Sequence, residues 1–363
     1  MKPLRMLWHS FRKCRVPENS EDVNVIVKVV AASRLCVVPM TFYAVTIGGL
    51  IAWISDSFDP LLYLAILVGF VGAHLVDNFI NDYYDYKRGF DDPSYFRTLY
   101  GPHPLLDNIV APRTIRNFIA LVLVYDLLLT LYLSIKVTPI IALLSAIGVL
   151  VMLLYAGFPV DAKRLGIGEL LVAIVWGPVM VGGTIYAMTG NHTILQALVY
   201  LPFALSVSLV LIGKHLDKYE HDKGKGLYTL PVRLGLDPAR KLSSILSLVL
   251  PPLAAISLYV YEQSIFAVLP LASTLIALYA VRLYKKPKPT SPPKGWDVWP
   301  LWYVAAGYMV MDSLGRTMIA SLFAYGLTIH GYTVLSWMVF VAGLLFELLI
   351  GWRLNTRNVN GKE

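Results

Sequence analysis

Charge is scarce in this chain: 15% of its 363 residues are Asp, Glu, Lys or Arg, against 57% that are hydrophobic. Soluble domains carry roughly 25% charged residues, so this balance excludes an ordinary soluble protein. Cysteine is scarcer still. Cys14 and Cys36 are too few and too badly placed for a disulfide framework or a metal knuckle, and both are expected as packing or surface residues. The first 22 residues lack the continuous apolar core of a signal peptide. Strictly alternating ten-residue segments are also missing, which excludes an outer-membrane barrel.

What the chain has instead is long apolar runs. Stretches of about 20 residues recur from Leu35 to Ile350, and only a helix of that length satisfies its own backbone in hydrocarbon. Spans are expected near residues 33–54, 60–82, 114–135, 138–157, 167–189, 194–214, 240–260, 264–284, 301–328 and 333–352. The ninth and tenth are interrupted by Asp312, Arg316 and Glu347. Asp312 and Arg316 stand four apart and can pair along one helix face, which lowers their cost in the bilayer. The expected fold is an all-α, polytopic transmembrane bundle of nine to ten helices.

With ten spans, every one of the 31 Lys and Arg residues except Lys136 and Arg316 falls at the two termini or the even-numbered connections. By the positive-inside rule both termini are expected in the cytoplasm. Nine spans would strand Arg353, Arg357 and Lys362 on the other side. The net charge of +8 is then a signal of topology and lipid attraction, and it makes no case for nucleic acid. Leu4, Leu7, Trp8 and Phe11 follow helical spacing among Arg5, Arg12, Lys13 and Arg15. Residues 1–22 are expected either as a basic amphipathic segment on the membrane surface or as a frayed terminus.

Two connections on the positive side stand out. After the second span, Asn78, Asn81, Asp82 and Asp85 lie at offsets 0, 3, 4 and 7, one face of a helix, with Lys87, Arg88 and Asp91 following. Hard oxygen ligands at a helix end suit Mg²⁺, which takes one or two carboxylates plus substrate phosphate. After the sixth span, Lys214, Asp217, Lys218, Glu220, His221 and Asp222 interleave acids with lysines. Asp217, Glu220 and His221 share a face, while Asp222 lies about 140° from Asp217 if the helix continues. Either cluster alone reads equally well as a charged helix end. Together, each closing the second helix of a four-helix group, they suggest two pseudo-repeats around a central cavity, with one diphosphate gripped between metal ions.

At these residues the sequence resembles the UbiA superfamily of intramembrane prenyltransferases, most closely its MenA-like branch. The pattern N-x-x-N-D-Y-x-D-x-x-x-G-x-D is met by Asn78, Asn81, Asp82, Tyr83, Asp85, Gly89 and Asp91. A second Asp-rich motif followed by T-L-x-V-x-L-G is matched by Asp217, Asp222, Thr229, Leu230, Val232, Leu234 and Gly235. Gly166, Gly168, Glu169, Gly177 and Pro178 resemble the family's G-x-G-E…G-P signature, and Arg34 in helix one and Tyr155 closing helix four match typical placements. The resemblance covers roughly residues 30–330, leaving residues 331–363 as an added helix and tail. There are departures. Asp217 and Asp222 are five apart where the family has four, so Glu220 or His221 could take the second ligand position. Gly213 and Lys214 replace an Asn-Asp or Asn-Asn pair, and His103 stands where arginine is common.

The resemblance implies Mg²⁺-dependent prenyl transfer from a polyprenyl diphosphate to an aromatic or lipid acceptor within the bilayer. Asn81, Asp82, Asp85, Asp217 and Asp222 would be catalytic, with Asp82, Asp85, Asp91, Asp217, Glu220, His221 and Asp222 as metal ligands. Arg34, Asn78, Lys87, Arg88, Tyr155, Lys214 and Lys218 would bind substrate. MenA-like enzymes prenylate 1,4-dihydroxy-2-naphthoate on the way to menaquinone; 4-hydroxybenzoate, homogentisate, haem and geranylgeranylglyceryl phosphate are other acceptors of the family. From another class, an ion-coupled transporter would rely on Glu169, Asp312 and Glu347 inside the membrane. A CDP-alcohol phosphotransferase would need D-G-x-x-A-R, which is absent.

Overall fold

A computed structural model describes residues 3–14, 24–91, 103–156, 160–162 and 164–356, and among these residues every regular element is helical. The chain begins with α1 (Pro3–Lys13) and α2 (Val25–Ala32), followed by a tight turn over Leu35–Val37. Next come α3 (Val38–Ile54), α4 (Pro60–Lys87), α5 (Pro112–Lys136) and α6 (Ile140–Ala156). The second group is α7 (Gly168–Thr189), α8 (Ile194–Asp217), the short α9 (Tyr219–Gly224) and α10 (Leu230–Leu234), α11 (Leu236–Glu262) and α12 (Ile265–Lys285). Two further helices, α13 (Tyr303–Ile329) and α14 (Thr333–Thr356), complete the bundle. Each of the ten expected spans has its helix. Eight are long and apolar enough to cross a bilayer; α6 is shorter, and α13 carries Asp312 and Arg316.

Local sequence explains the helix starts. Asp59 accepts from the Leu61 and Leu62 amides to open α4, and Thr193 with Gln196 closes a reciprocal capping box on α8. Pro178 lies within α7, where the helix widens by a residue per turn over Val175–Gly182. A proline lacks the N–H of the regular ladder, and such widening accommodates it.

The core is organised around α8 and α13, whose backbones cross closely because Gly213 and Gly307 offer no side chain. The three charges that interrupt α13 and α14 are paired with one another. Arg316 pairs with both Asp312 and Glu347, Glu347 also accepts from Ser313, and Tyr43 donates to Asp312 at 2.6 Å. The pairing expected between Asp312 and Arg316 is present, and Glu347 ties α14 to it.

Two expectations at the N-terminus are corrected. Cys14 and Cys36 are not separate packing or surface residues; they form a disulfide, with Cα atoms 5.2 Å apart. Met6 and Ser10 of α1 are buried by folding back along α2, which carries Cys14 to the turn before α3. That leaves Leu4, Trp8 and Phe11 exposed, the apolar stripe a membrane surface would cover. Closing a loop of this length contributes about 3 kcal/mol on the chain-entropy model. Cys14→Ser should therefore expose Arg5 and Arg12 to faster tryptic cleavage under non-reducing conditions; unchanged cleavage would show that the helix is held by packing alone. Arg34, expected inside the first span, instead precedes it. Its backbone takes the left-handed conformation (φ 63°), costly for a residue with a side chain.

Candidate active site

A cavity of about 880 Å³ runs between α4, α5, α6 and α7, with Lys214 of α8 at one end. That end is polar: Arg34, Asp77, Asn78, Asn81 and Tyr155 line it beside Lys214. The remaining wall is mostly aliphatic. Farther along, Ile66, Leu133, Ile141 and Ala187 of the lining pack together with Val45. From Asn81 back to Ile66 the wall follows α4 for 15 residues, a length of about 22 Å at 1.5 Å per residue.

The first acidic segment lies on α4 as its spacing predicts. Asn78, Asn81 and Asp82 are buried, Asp85 is half-buried, and the Asn78 amide donates to the Ser33 carbonyl at 3.0 Å. The left-handed turn at Arg34 delivers its guanidinium to the Asp82 carboxylate. Asp91 curls back after the end of α4, its amide donating to the Asp85 carbonyl. A carboxylate oxygen each from Asp82 and Asp91 lies within 4.8 Å of the other and of a His103 ring nitrogen, all three residues being buried.

His103 was singled out in the sequence only as a replacement for arginine. Its Nδ1 accepts from the Leu105 and Leu106 amides, both at 3.2 Å, so in the neutral ring the proton sits on Nε2. Nε2 lies 3.2 Å from Asp91 Oδ2 and donates to it. His103 thus orients Asp91, and its ring offers no lone pair to a metal. Two converging buried carboxylates, with Asn81 and Asp85 beside them, fit the one or two carboxylates that Mg²⁺ takes.

The basic residues after this motif lie elsewhere. Lys87 is exposed above the Tyr83 ring, and Arg88 pairs with Asp161 at 3.3 Å. Neither lines the cavity.

The second segment departs further from expectation. The helix breaks at Lys218, so Asp217, Glu220 and His221 do not share the one continuous face expected of them. Asp217 turns toward α13, where Oδ2 accepts from the Trp302 and Val304 amides at 2.9 and 3.0 Å and Oδ1 from Tyr303 at 3.1 Å. Lys288 adds an ion pair at 3.3 Å. Burial pushes the Lys288 ammonium below the usual lysine range, and the Asp217 carboxylate opposes that shift. Asp217 is therefore a helix N-terminal cap. Asp222 is fully buried with its Oδ1 3.1 Å from Lys218 Nζ, Glu220 is exposed, and His221 is half-buried. The two segments nonetheless meet at one end of the bundle, since Lys225 donates to the Phe90 carbonyl.

Two ionisable residues of the cavity wall carried no motif: His74, held by Thr41 at 2.8 Å and set edge-on to Trp176, and Asp126 of α5. The acids a transporter would use are already engaged. Glu169 pairs with His215 at 2.7 Å, and Asp312 and Glu347 share Arg316.

A membrane bundle with a polar, cationic mouth opening on a long, mostly aliphatic cavity is the architecture of an intramembrane lipid-modifying enzyme. The chain belongs to the UbiA prenyltransferase family, whose model matches residues 42–304. It is 26% identical over 195 residues to a 1,4-dihydroxy-2-naphthoate octaprenyltransferase of Bacillus subtilis, covering 54% of this chain and 62% of that protein. This chain thus spans less than two thirds of that relative's length. It is 27% identical over 267 residues to UbiA prenyltransferase domain-containing protein 1 of Rattus norvegicus, covering 70% and 75%. A solved structure concerning digeranylgeranylglyceryl phosphate synthase superimposes with TM-score 0.52 at 18% identity, covering 89% of this chain and 99% of that one. That likeness speaks to the fold.

Proposed function

We propose that this protein transfers a prenyl chain from its diphosphate to an aromatic acceptor at the cytoplasmic face of the cell membrane, with 1,4-dihydroxy-2-naphthoate as the leading acceptor and Mg²⁺ as cofactor. The observation that carries this reading is one cavity, cationic and amide-lined at its mouth and mostly aliphatic for the rest of its length. A prenyl diphosphate has that same division.

Asp82 and Asp91 would hold the Mg²⁺, which supplies positive charge to the departing diphosphate. Arg34, Asn78, Asn81 and Lys214 surround the place where the phosphates would lie and donate hydrogen bonds to their oxygens. The allylic C–O bond breaks with its electron pair leaving on the diphosphate. The apolar wall then excludes water from the cation, and the Tyr155 ring at the mouth offers it a π face. The acceptor ring carbon supplies the pair for the new bond, and its carboxylate then leaves as CO2, the pair of the broken C–C bond returning to the ring. A second cavity of about 850 Å³ shares Arg34, Lys214 and Val304 with the first and is lined by Tyr43, Trp296, Trp302 and Tyr308, which suits a flat aromatic acceptor. Residues 1–22 serve as a surface anchor, and α14 as an added brace.

Tail length follows from the run of that wall along α4. An isoprene unit is four bonds of about 1.5 Å in zig-zag, about 5 Å, so a 22 Å cavity takes about four units. Purified protein with Mg²⁺, either geranylgeranyl or octaprenyl diphosphate, and a panel of aromatic and glyceryl phosphate acceptors should give a prenylated product by mass spectrometry. The C20 donor should react at least tenfold faster than the C40 donor. No product with any pair would sink the prenyl-transfer reading, while equal rates would sink only the tail limit.

A further inference from the structure

We infer that the two halves of this site grip the diphosphate by different means: a metal held by carboxylates on the first segment, and the ammonium groups of Lys214 and Lys218 on the second. The inference rests on the prenyl-transfer reading and concerns how its diphosphate is bound.

Of the three acids of the second segment, Asp217 and Asp222 are already in ion pairs and Glu220 is exposed. Both Asp217 oxygens take backbone amides at the start of α13, where three N–H groups and Lys288 balance the charge. A carboxylate so engaged could reach a metal only by uncapping α13. Asp222 is fully buried in a pair with Lys218, and Glu220 points outward into solvent. Among the described residues, the group of acids and histidines close enough to surround one ion is Asp82, Asp91 and His103, all from the first segment.

Cationic groups take the other side. Lys214 lines both cavities and so faces the mouth from α8, opposite Asn81. Lys218, one turn on, is largely buried and lies within electrostatic reach of Tyr155, itself on the cavity wall. Its pairing with Asp222 holds the ammonium in place without carrying a carboxylate into the mouth. A fixed ammonium binds phosphate oxygens as a point charge. It does on this side what a second metal would do.

Counting metal separates the alternatives without reference to turnover. Manganese should be titrated into the purified protein with inorganic pyrophosphate and followed by electron paramagnetic resonance. One tightly bound Mn²⁺ per chain is expected, lost in Asp82→Asn and retained in Asp222→Asn. Because the buried pair could be needed for folding, the double variant Lys218→Met/Asp222→Met should be compared; it too should keep one ion. By calorimetry, Lys214→Gln should weaken pyrophosphate binding at least tenfold, with most of it recovered in Lys214→Arg. Two ions per chain, one of them lost with Asp222→Asn, would overturn the inference and leave prenyl transfer standing. So would unchanged pyrophosphate affinity in Lys214→Gln. Absence of any pyrophosphate-dependent Mn²⁺ binding would remove the prenyl-transfer reading itself.

Discussion

Asp82→Asn is expected to lower turnover about a thousandfold while the protein remains folded. Asp82 is 1% exposed, next to the cavity-lining Asn81, flanked by Asp91 and met by Arg34. The amide keeps the shape and one acceptor oxygen, so α4 should be undisturbed. What it removes is the negative charge that Mg²⁺ needs, and with it the stabilisation of the departing diphosphate; losses of 10²–10³ or more are usual when such an electrostatic contact goes. Arg34 would then stand opposite a neutral side chain and remain free to bind phosphate, so substrate binding should fall less than turnover. His103→Gln provides the contrast. It reaches the site only by holding Asp91, and losses through such supporting contacts run about 10- to 100-fold. Pyrophosphate release with geranylgeranyl diphosphate, measured beside circular dichroism, decides both. More than a tenth of wild-type activity in Asp82→Asn would place the chemistry elsewhere.

The first acidic segment could be read from sequence because everything that matters there lies within one helix. Offsets of 0, 3, 4 and 7 fix a shared face whatever the tertiary structure does, and α4 shows Asn78, Asn81 and Asp82 buried together. The spans were legible for a similar reason, since hydrocarbon imposes length and composition on each helix separately. The second segment resisted because its geometry is set by a distant partner. Whether Asp217 faces the cavity or caps α13 depends on residues 302–304, 85 or more positions away, and no local pattern records that. His103 was hidden likewise: its tautomer is dictated by the amides of Leu105 and Leu106, while its target is Asp91. The disulfide escaped because pairing two cysteines needs the return of α1 along α2, which the sequence between them does not declare.

Gly213→Ala carries the other large effect, and its sign runs against helix propensity. In mid-helix, replacing glycine by alanine ordinarily stabilises by about 0.5–1 kcal/mol. Here a Cβ would lie 2.4 Å from the Tyr303 carbonyl oxygen and 2.8 Å from the Val304 Cα. These are backbone atoms, and no rotamer change relieves the overlap. Separating α8 from α13 would cost about 3 kcal/mol, as overpacking of a tight contact does, and should lower the melting temperature in detergent by about 4 °C. Gly224→Ala in α9, where nothing lies within 4 Å of the new Cβ, serves as the control and should leave the melting temperature unchanged or slightly raised. The displacement also bears on chemistry. Gly213 lets α13 approach closely enough for Asp217 to cap it, one turn of helix beyond, and the neighbouring Lys214 is held at the cavity mouth by that same crossing. Gly213, Lys214 and Asp217 thus act together: the close approach permits the cap, the cap turns Asp217 toward α13, and Lys214 remains at the mouth. A Gly213→Ala protein as stable as wild type would break that chain at its first link.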